Sequence, residues 1–169
     1  MRDYHLLTQR LHLLPFTLED SEEFQKLNKD SRIREFVWDN EEVDGIISDE
    51  VMDQNLYCFD HHRYGLWKIQ LEENPLTIGY VGLWSFFDEP QPQLIYALLG
   101  EYTRNGYATE ASTAVIGYAF EKLGFTYLIA TTDEPNIASQ KVASRLGMCF
   151  TGKEIKNNRP TLFYRIDCK

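Results

Sequence analysis

The sequence predicts a mixed α/β fold, a sheet with helices on its faces, and three observations carry that reading. Short runs rich in Val, Ile, Tyr, Phe and Trp read as strands. Longer stretches between them repeat their apolar residues at helical spacing. Gly, Pro, Asn and Asp gather at the junctions. Aromatic residues make up 14% of the chain, which fits substantial strand content. At 169 residues the whole span 1–169 reads as a single domain with room for a full core.

The elements follow in order. Residues 8–16 alternate like an opening strand. Thr17 reads as an N-cap, with Asp20 three residues on as its capping-box partner, and the helix runs to about Asn28. A second helix is expected over 41–56, where Val43, Ile46, Ile47, Val51 and Met52 are apolar and Gly45 weakens the pattern. A hairpin comes next: strand 64–71, turn 72–75, strand 77–87. A loop at 88–92 leads to a strand ending at Leu99. The helix 107–123 puts Ala108, Ala111, Val115, Tyr118 and Ala119 on one face, and Gly124 closes it. Strand 125–132, helix 137–146 closed by Gly147, and strands 148–152 and 162–167 complete the chain. The order reads β-α-α-β-β-β-α-β-α-β-β, an early helical pair followed by a late βαβ core.

Composition excludes several functions. No apolar run approaches the ~18 residues of a membrane span, and the start of the sequence lacks signal-peptide character. Cys58, Cys149 and Cys168 are scattered, so neither a zinc site nor a disulfide framework is expected, and a reducing cytoplasm is the simplest setting. The net charge of −9 is uneven: residues 17–60 hold 14 acids and 4 bases, against 12 and 13 in the rest. A protein that grips nucleic-acid backbone should show the opposite balance. The acidic third is either a solvated surface or a means of steering cationic partners.

The segment 94–110 is the most informative. An apolar strand, a polar turn and Gly106 at a helix start together make an anion-binding arrangement, because the first helical N–H groups are free and the dipole favours negative charge. The alternative is a plain structural joint. A Lys-bearing phosphate loop and a Gly-x-Gly-x-x-Gly fingerprint are both missing, which disfavours other nucleotide-binding folds.

Three segments resemble the GNAT superfamily of acyl-CoA-dependent N-acyltransferases, and within it the branch of ribosomal-protein N-terminal acetyltransferases. They are Thr8-x-Arg10-Leu11-x-Leu13-x-Pro15-Phe16; Tyr96-x-Leu98 with Glu101-Tyr102 and Gly106-Tyr107-Ala108-Thr109-Glu110-Ala111; and Asn136-x-x-Ser139 with Leu146-Gly147. The resemblance implies a mostly antiparallel central sheet with helices on both faces, and acetyl-CoA as co-substrate. It implies that Arg104, Asn105, Gly106, Tyr107, Ala108 and Thr109 surround a pyrophosphate. Ala97, Leu98 and Leu99 would lie along the pantetheine arm, with Asn136 and Ser139 beside the thioester.

Two departures stand out. Arg104 occupies a position commonly glycine in the family, so its backbone must avoid positive φ or carry strain. The tyrosine that protonates the departing thiolate in many relatives is here Ala143, which leaves Ser139 or water for that role. Ser85, Asp88, Glu89 and Glu101 are the candidates to receive the amine proton. The pair His61–His62 is noted as a candidate for its imidazoles, but reads first as two polar residues leading into a strand. Trp38, Trp67 and Trp84 are acceptor-pocket candidates or core. The expected acceptor is an amine, which the acidic third favours as cationic, on a small molecule or a protein N-terminus. The rival expectation is a non-catalytic acyl-CoA-binding protein. A homodimer through a late strand is as compatible with the sequence as a monomer.

Overall fold

The strands sort into two antiparallel sheets that part company in the middle of the chain. The computed structural model describes residues 4–169. The first sheet has the order β1 (Leu6–Leu7), β2 (Leu11–Pro15), β3 (Leu66–Leu71), β4 (Asn74–Trp84), β5 (Gln93–Leu98). The second has the order β6 (Tyr127–Asp133), β8 (Arg159–Asp167), β7 (Cys149–Lys156). β5 and β6 approach each other, yet no ladder joins them. The late βαβ unit expected from the sequence is therefore present in order, but it closes no parallel pair among the described strands.

Helices cover both faces of the first sheet. Phe16, Phe24, Leu27, Ile33, Val43, Met52, Leu66, Tyr80 and Ala97 pack under α1 (Ser21–Leu27), α2 (Ser31–Val37) and α3 (Gly45–His62). The opposite face meets α4 (Tyr107–Glu121), whose Ala111, Val115, Ile116 and Ala119 join Leu11, Trp67, Ile69, Val81 and Leu83. Period-two alternation sorts Leu66 from Trp67, and Tyr80 from Val81, onto the two faces. α5 (Ile137–Arg145) packs on β6 and α4.

Two buried asparagines tie the helical layer to the sheet. Asn55 of α3 donates to the carbonyls of Phe16 (3.0 Å) and Leu66 (3.3 Å), and accepts the Leu66 N–H at 2.6 Å. Asn28 accepts from the Tyr80 hydroxyl at 2.8 Å and the Trp38 indole at 2.7 Å. Burial pushes the Tyr80 phenol far above its usual range, so at neutral pH it serves as a donor.

Several boundaries differ from the sequence expectation, each for a local reason. The opening strand is a small hairpin, β1 with β2, not one run. The Thr17–Asp20 capping box closes on a 3-10 turn (Leu18–Asp20) before α1 begins. Asp44, not a residue near 41, caps α3 through the Ile47 N–H, which puts Gly45 at the helix start where it does little harm. α3 then runs on through His61 and His62 to a left-handed Arg63. Helix α2 was absent from the expected order, although Asp30 caps it by accepting from the N–H groups of Arg32 and Ile33.

β4 crosses β5 closely at Gly79, where a Cβ would stand 2.1 Å from the Ala97 carbonyl oxygen. Substituting Gly79→Ala is expected to cost about 1–3 kcal/mol through overpacking against backbone. Thermal unfolding should read a drop of several degrees, and an unchanged melting temperature would show that β5 gives way freely.

Candidate active site

The parting of β5 from β6 opens a cleft of about 830 Å³. Its walls are β5 (Leu94 to Leu98), the end of β6 (Thr131, Thr132), α5, α2 and the turn before α4. Among the described residues β5 ends its sheet, so one row of its N–H and C=O groups has no ladder partner there and faces the gap. A ligand with amide groups can complete that row as a strand would.

The turn at the start of α4 supplies the second recognition element. Gly106 has φ +80° and Arg104 φ +66°. Among the described residues, no hydrogen bond uses the N–H groups of residues 104–109. Alternating left-handed positions with free amides form an anion-binding concavity at the positive end of a helix. Arg104 thus takes the strained alternative, because the turn requires positive φ whatever side chain stands there.

A clamp from the N-terminal hairpin holds this turn. Glu110 in the first turn of α4 accepts from Thr8 Oγ1 (2.6 Å), the Arg10 N–H (2.9 Å) and Arg10 Nε (2.7 Å). Arg10 Nη1 also donates to the Asn105 carbonyl at 3.0 Å, and its guanidinium lies 4.6 Å from the Tyr107 ring centre. Burial pushes the Glu110 carboxyl up, but the Thr8 and Arg10 donors outweigh it and hold the group below the usual Glu range.

The charge of the cleft is opposite to that of the chain. Arg32, Arg104, Lys141 and Arg145 line it, against a single carboxylate, Glu35. None of the four cations forms an ion pair among the described residues. Unpaired cations around a nest of free amides fit a polyanion such as the pyrophosphate of coenzyme A.

On α5, Asn136 caps the helix by accepting the Ser139 N–H at 3.2 Å. Ser139 Oγ donates to the Tyr96 hydroxyl at 3.1 Å, and that hydroxyl donates to the Ser139 carbonyl at 3.0 Å. Burial pushes the Tyr96 phenol to about 12, against the Ser139 hydrogen bond and with help from Tyr164. Ala143 is buried in the apolar core and does not border the cleft.

The structure gathers Ala97, Leu98, Arg104, Gly106, Tyr107, Ala108, Thr109, Asn136 and Ser139 around this cleft. Leu99 and Asn105 sit behind the lining, Leu99 donating to the Ile78 carbonyl and Asn105 bracing the turn. The expected proton acceptors fare differently. Ser85 lines a separate cavity of about 220 Å³ with Cys58, Tyr64 and Trp84. Asp88 is exposed on the loop after β4, and Glu101 is exposed on the 3-10 turn Gly100–Tyr102. Neither these two nor Glu89 borders the cleft.

Other sequence candidates lie outside it as well. His61 and His62 stack on Tyr57 and Tyr64 at the end of α3. Trp67 is core, Trp38 caps α2, and Trp84 faces the smaller cavity. Most acids of the first third decorate α1, α3 and their loops, outside the lining. Glu35, Phe36, Tyr96, Lys141 and Arg145 were missed as site residues. The Ile33, Phe36, Val37 spacing after Asp30 was the available signal for the α2 wall.

At the far wall, Arg159 Nη1 donates to the Glu35 carbonyl at 2.9 Å, pairs with Asp39 at 3.3 Å and contacts the Asp133 carboxylate. Burial raises the Asp133 carboxyl more than Arg159 lowers it, and Asp39 and Glu35 add to the rise.

Two outcomes test the loop. Replacing Arg104 with Gly relieves about 1 kcal/mol of left-handed strain, so the melting temperature of the free protein rises by about 2–4 °C. The same change weakens coenzyme A binding by about tenfold in calorimetry, through loss of a charged contact. For Glu110→Gln the sign follows from its depressed pKa. The Glu110 contribution is complete above the ordinary value of 4.5 and fades as pH falls through the lower folded value. Melting temperatures of variant and wild type should therefore differ near pH 7 and converge in acid.

Comparison with known proteins agrees with the geometry. The family model of the GNAT acetyltransferase domain matches residues 10–149. The uncharacterised N-acetyltransferase YnaD of Bacillus subtilis (strain 168) is 24% identical over 148 residues, covering 85% of this chain and 82% of YnaD. An acetyltransferase from Agrobacterium tumefaciens str. C58 is 26% identical, with a TM-score of 0.83 over 97% of this chain and 94% of that one. The same fold occurs in RimL, a ribosomal L7/L12 alpha-N-protein acetyltransferase solved with coenzyme A, at 13% identity and a TM-score of 0.81 over 96% of each chain. With a family match across most of its length and a cleft built for a polyanionic, amide-bearing ligand, the chain belongs to the GNAT acetyltransferases, enzymes that draw their acetyl group from acetyl-CoA.

Proposed function

We propose that the protein transfers this acetyl group directly to a primary amine, and that the amine approaches from the α2 side of the cleft. The observation that carries the reading is the row of free N–H groups at residues 104–109, opening onto the unpaired edge of β5. Residues 104–109 hold the pyrophosphate, with Arg104 as its side-chain contact. Ala97 and Leu98 present strand backbone to the pantetheine, and Asn136 and Ser139 flank the thioester.

The co-substrate supplies an acetyl carbon activated by a sulfur leaving group. A backbone N–H of β5 near Leu98 polarises the carbonyl oxygen of that group. The amine must arrive neutral to attack, so a base has to take its proton. Glu35 is the carboxylate in the lining and is assigned this part, directly or through a water. As the C–S bond breaks, Ser139 Oγ turns its hydrogen from Tyr96 to the departing sulfur. Tyr96 keeps its own proton throughout, because a phenol near 12 does not ionise at neutral pH.

Ile33, Phe36, Val37, Phe86, Leu94 and Ile95 make the wall beside Glu35 apolar. An amine carried on an apolar or aromatic group suits such a wall.

Thermal unfolding with acetyl-CoA, coenzyme A and ATP tests the cofactor assignment. At ~100 times the dissociation constant a ligand adds ~2.7 kcal/mol, a rise of about 5–10 °C here. Acetyl-CoA and coenzyme A should give that shift and ATP should not. Replacing Ser139 with Ala should lower kcat about 10²-fold with acetyl-CoA affinity within twofold, and an unchanged kcat would remove Ser139 from the mechanism.

A further inference from the structure

We infer that Arg159 is a positioning residue for the acceptor, a strap that holds α2 against the second sheet and so sets the shape of the amine-binding wall. The inference rests on the reading that the amine enters beside α2. Arg159 opens β8, directly after the two-residue turn Asn157–Asn158, where both φ values are positive. From there the guanidinium reaches Glu35, which lines the cleft. There one nitrogen serves three oxygens on two separate bodies: the Glu35 carbonyl and Asp39 on the α2 side, and Asp133 at the end of β6.

α2 needs such a tether. It spans 7 residues, too few to be stable alone, and buries Ile33 alone among its side chains. Its start is fixed, because Asp30 caps it and also accepts the Gly100 N–H at 2.9 Å. Its end runs into Asp39 and Asn40, both left-handed with φ +52° and +68°. Consecutive non-Gly residues in that region are held there by their surroundings. Arg159 reaches this end from the second sheet, beside the Trp38–Asn28 bond, and Glu35, Phe36 and Val37 line the cleft on the segment it helps to fix.

The pyrophosphate turn precedes α4, and Ser139 on α5 connects to the strap only through backbone, since the Asp133 carbonyl accepts the Asn136 N–H at 2.9 Å. Breaking the strap should therefore move the acceptor wall and leave cofactor binding alone. A lysine keeps the charge and three donors on one nitrogen, but not the planar guanidinium geometry, so it restores the strap only in part.

The test uses the full chain with Arg159→Met and Arg159→Lys, and L-phenylalaninamide as amine probe in a thiol-release assay. Arg159→Met is expected to raise KM for the probe at least about tenfold, with the acetyl-CoA dissociation constant within about twofold. Arg159→Lys should recover part of the loss. Hydrogen exchange of the amides of residues 31–40 should accelerate about tenfold or more in Arg159→Met, while those of β5 and α4 keep their protection. Equal weakening of probe and acetyl-CoA, or an unchanged probe KM, overturns the inference. If the wild type releases no thiol with the probe, that result counts against the acceptor reading alone. Hydrogen exchange then decides the strap: faster exchange confined to 31–40 upholds it, and unchanged exchange overturns it.

Discussion

Everything in this molecule that concerns function follows from one unmade set of hydrogen bonds. β5 has a ladder partner on one side and none on the other, although β6 comes close. An open strand edge inside a protein is costly unless something completes it. Here the break leaves a cleft with backbone donors and acceptors along one wall and a helix start at its end. The fold keeps the gap open by different means on each side: β5 is locked to β4 through the close approach at Gly79, and β6 is locked to β8 along its whole length.

The rest of the structure holds the rims of that gap in register. On the cofactor side the Thr8, Arg10 and Glu110 contacts span about a hundred residues of sequence and fix the turn that carries the free amides. This arrangement explains why a left-handed Arg104 is tolerated: the conformation is imposed from outside by a charged, well-satisfied network. On the acceptor side, Asn28 and Asn55 fasten the helical layer through bonds that have no competing water. Polar groups at both positions are fully satisfied, the condition under which buried polarity adds definition to a core.

Charge is distributed to match. The acidic excess of the first third lies mainly on outer helix surfaces, and the cleft carries four cations and one carboxylate. Net charge thus describes solubility and the far field, and the local set describes the ligand. A phosphate-bearing ligand meets free cations at the cleft and repulsion over the acidic surface elsewhere, which favours one binding place on the molecule.

The sequence by itself determined most of the elements, though not α2, and the anion-binding turn before α4. Strand alternation, the Thr17–Asp20 cap, the Gly106 turn and the Asn136 cap are local features, written in neighbouring residues and in hydrogen bonds a few positions apart. Tertiary structure decided the parting of β5 and β6, because strand pairing depends on register and twist between distant segments. It also decided which side chains face α2 across the cleft. Ser85, Asp88 and Glu101 are plausible by type and order, yet Ser85 lines a separate cavity and Asp88 and Glu101 stand exposed outside the cleft lining. Glu35, Tyr96 and Arg159 enter the site through contacts spanning 43 to 124 positions, a distance over which periodicity carries no signal. Local chemistry marks the anion-binding turn, and only the folded chain brings together the opposite wall of the cleft, which we propose meets the amine.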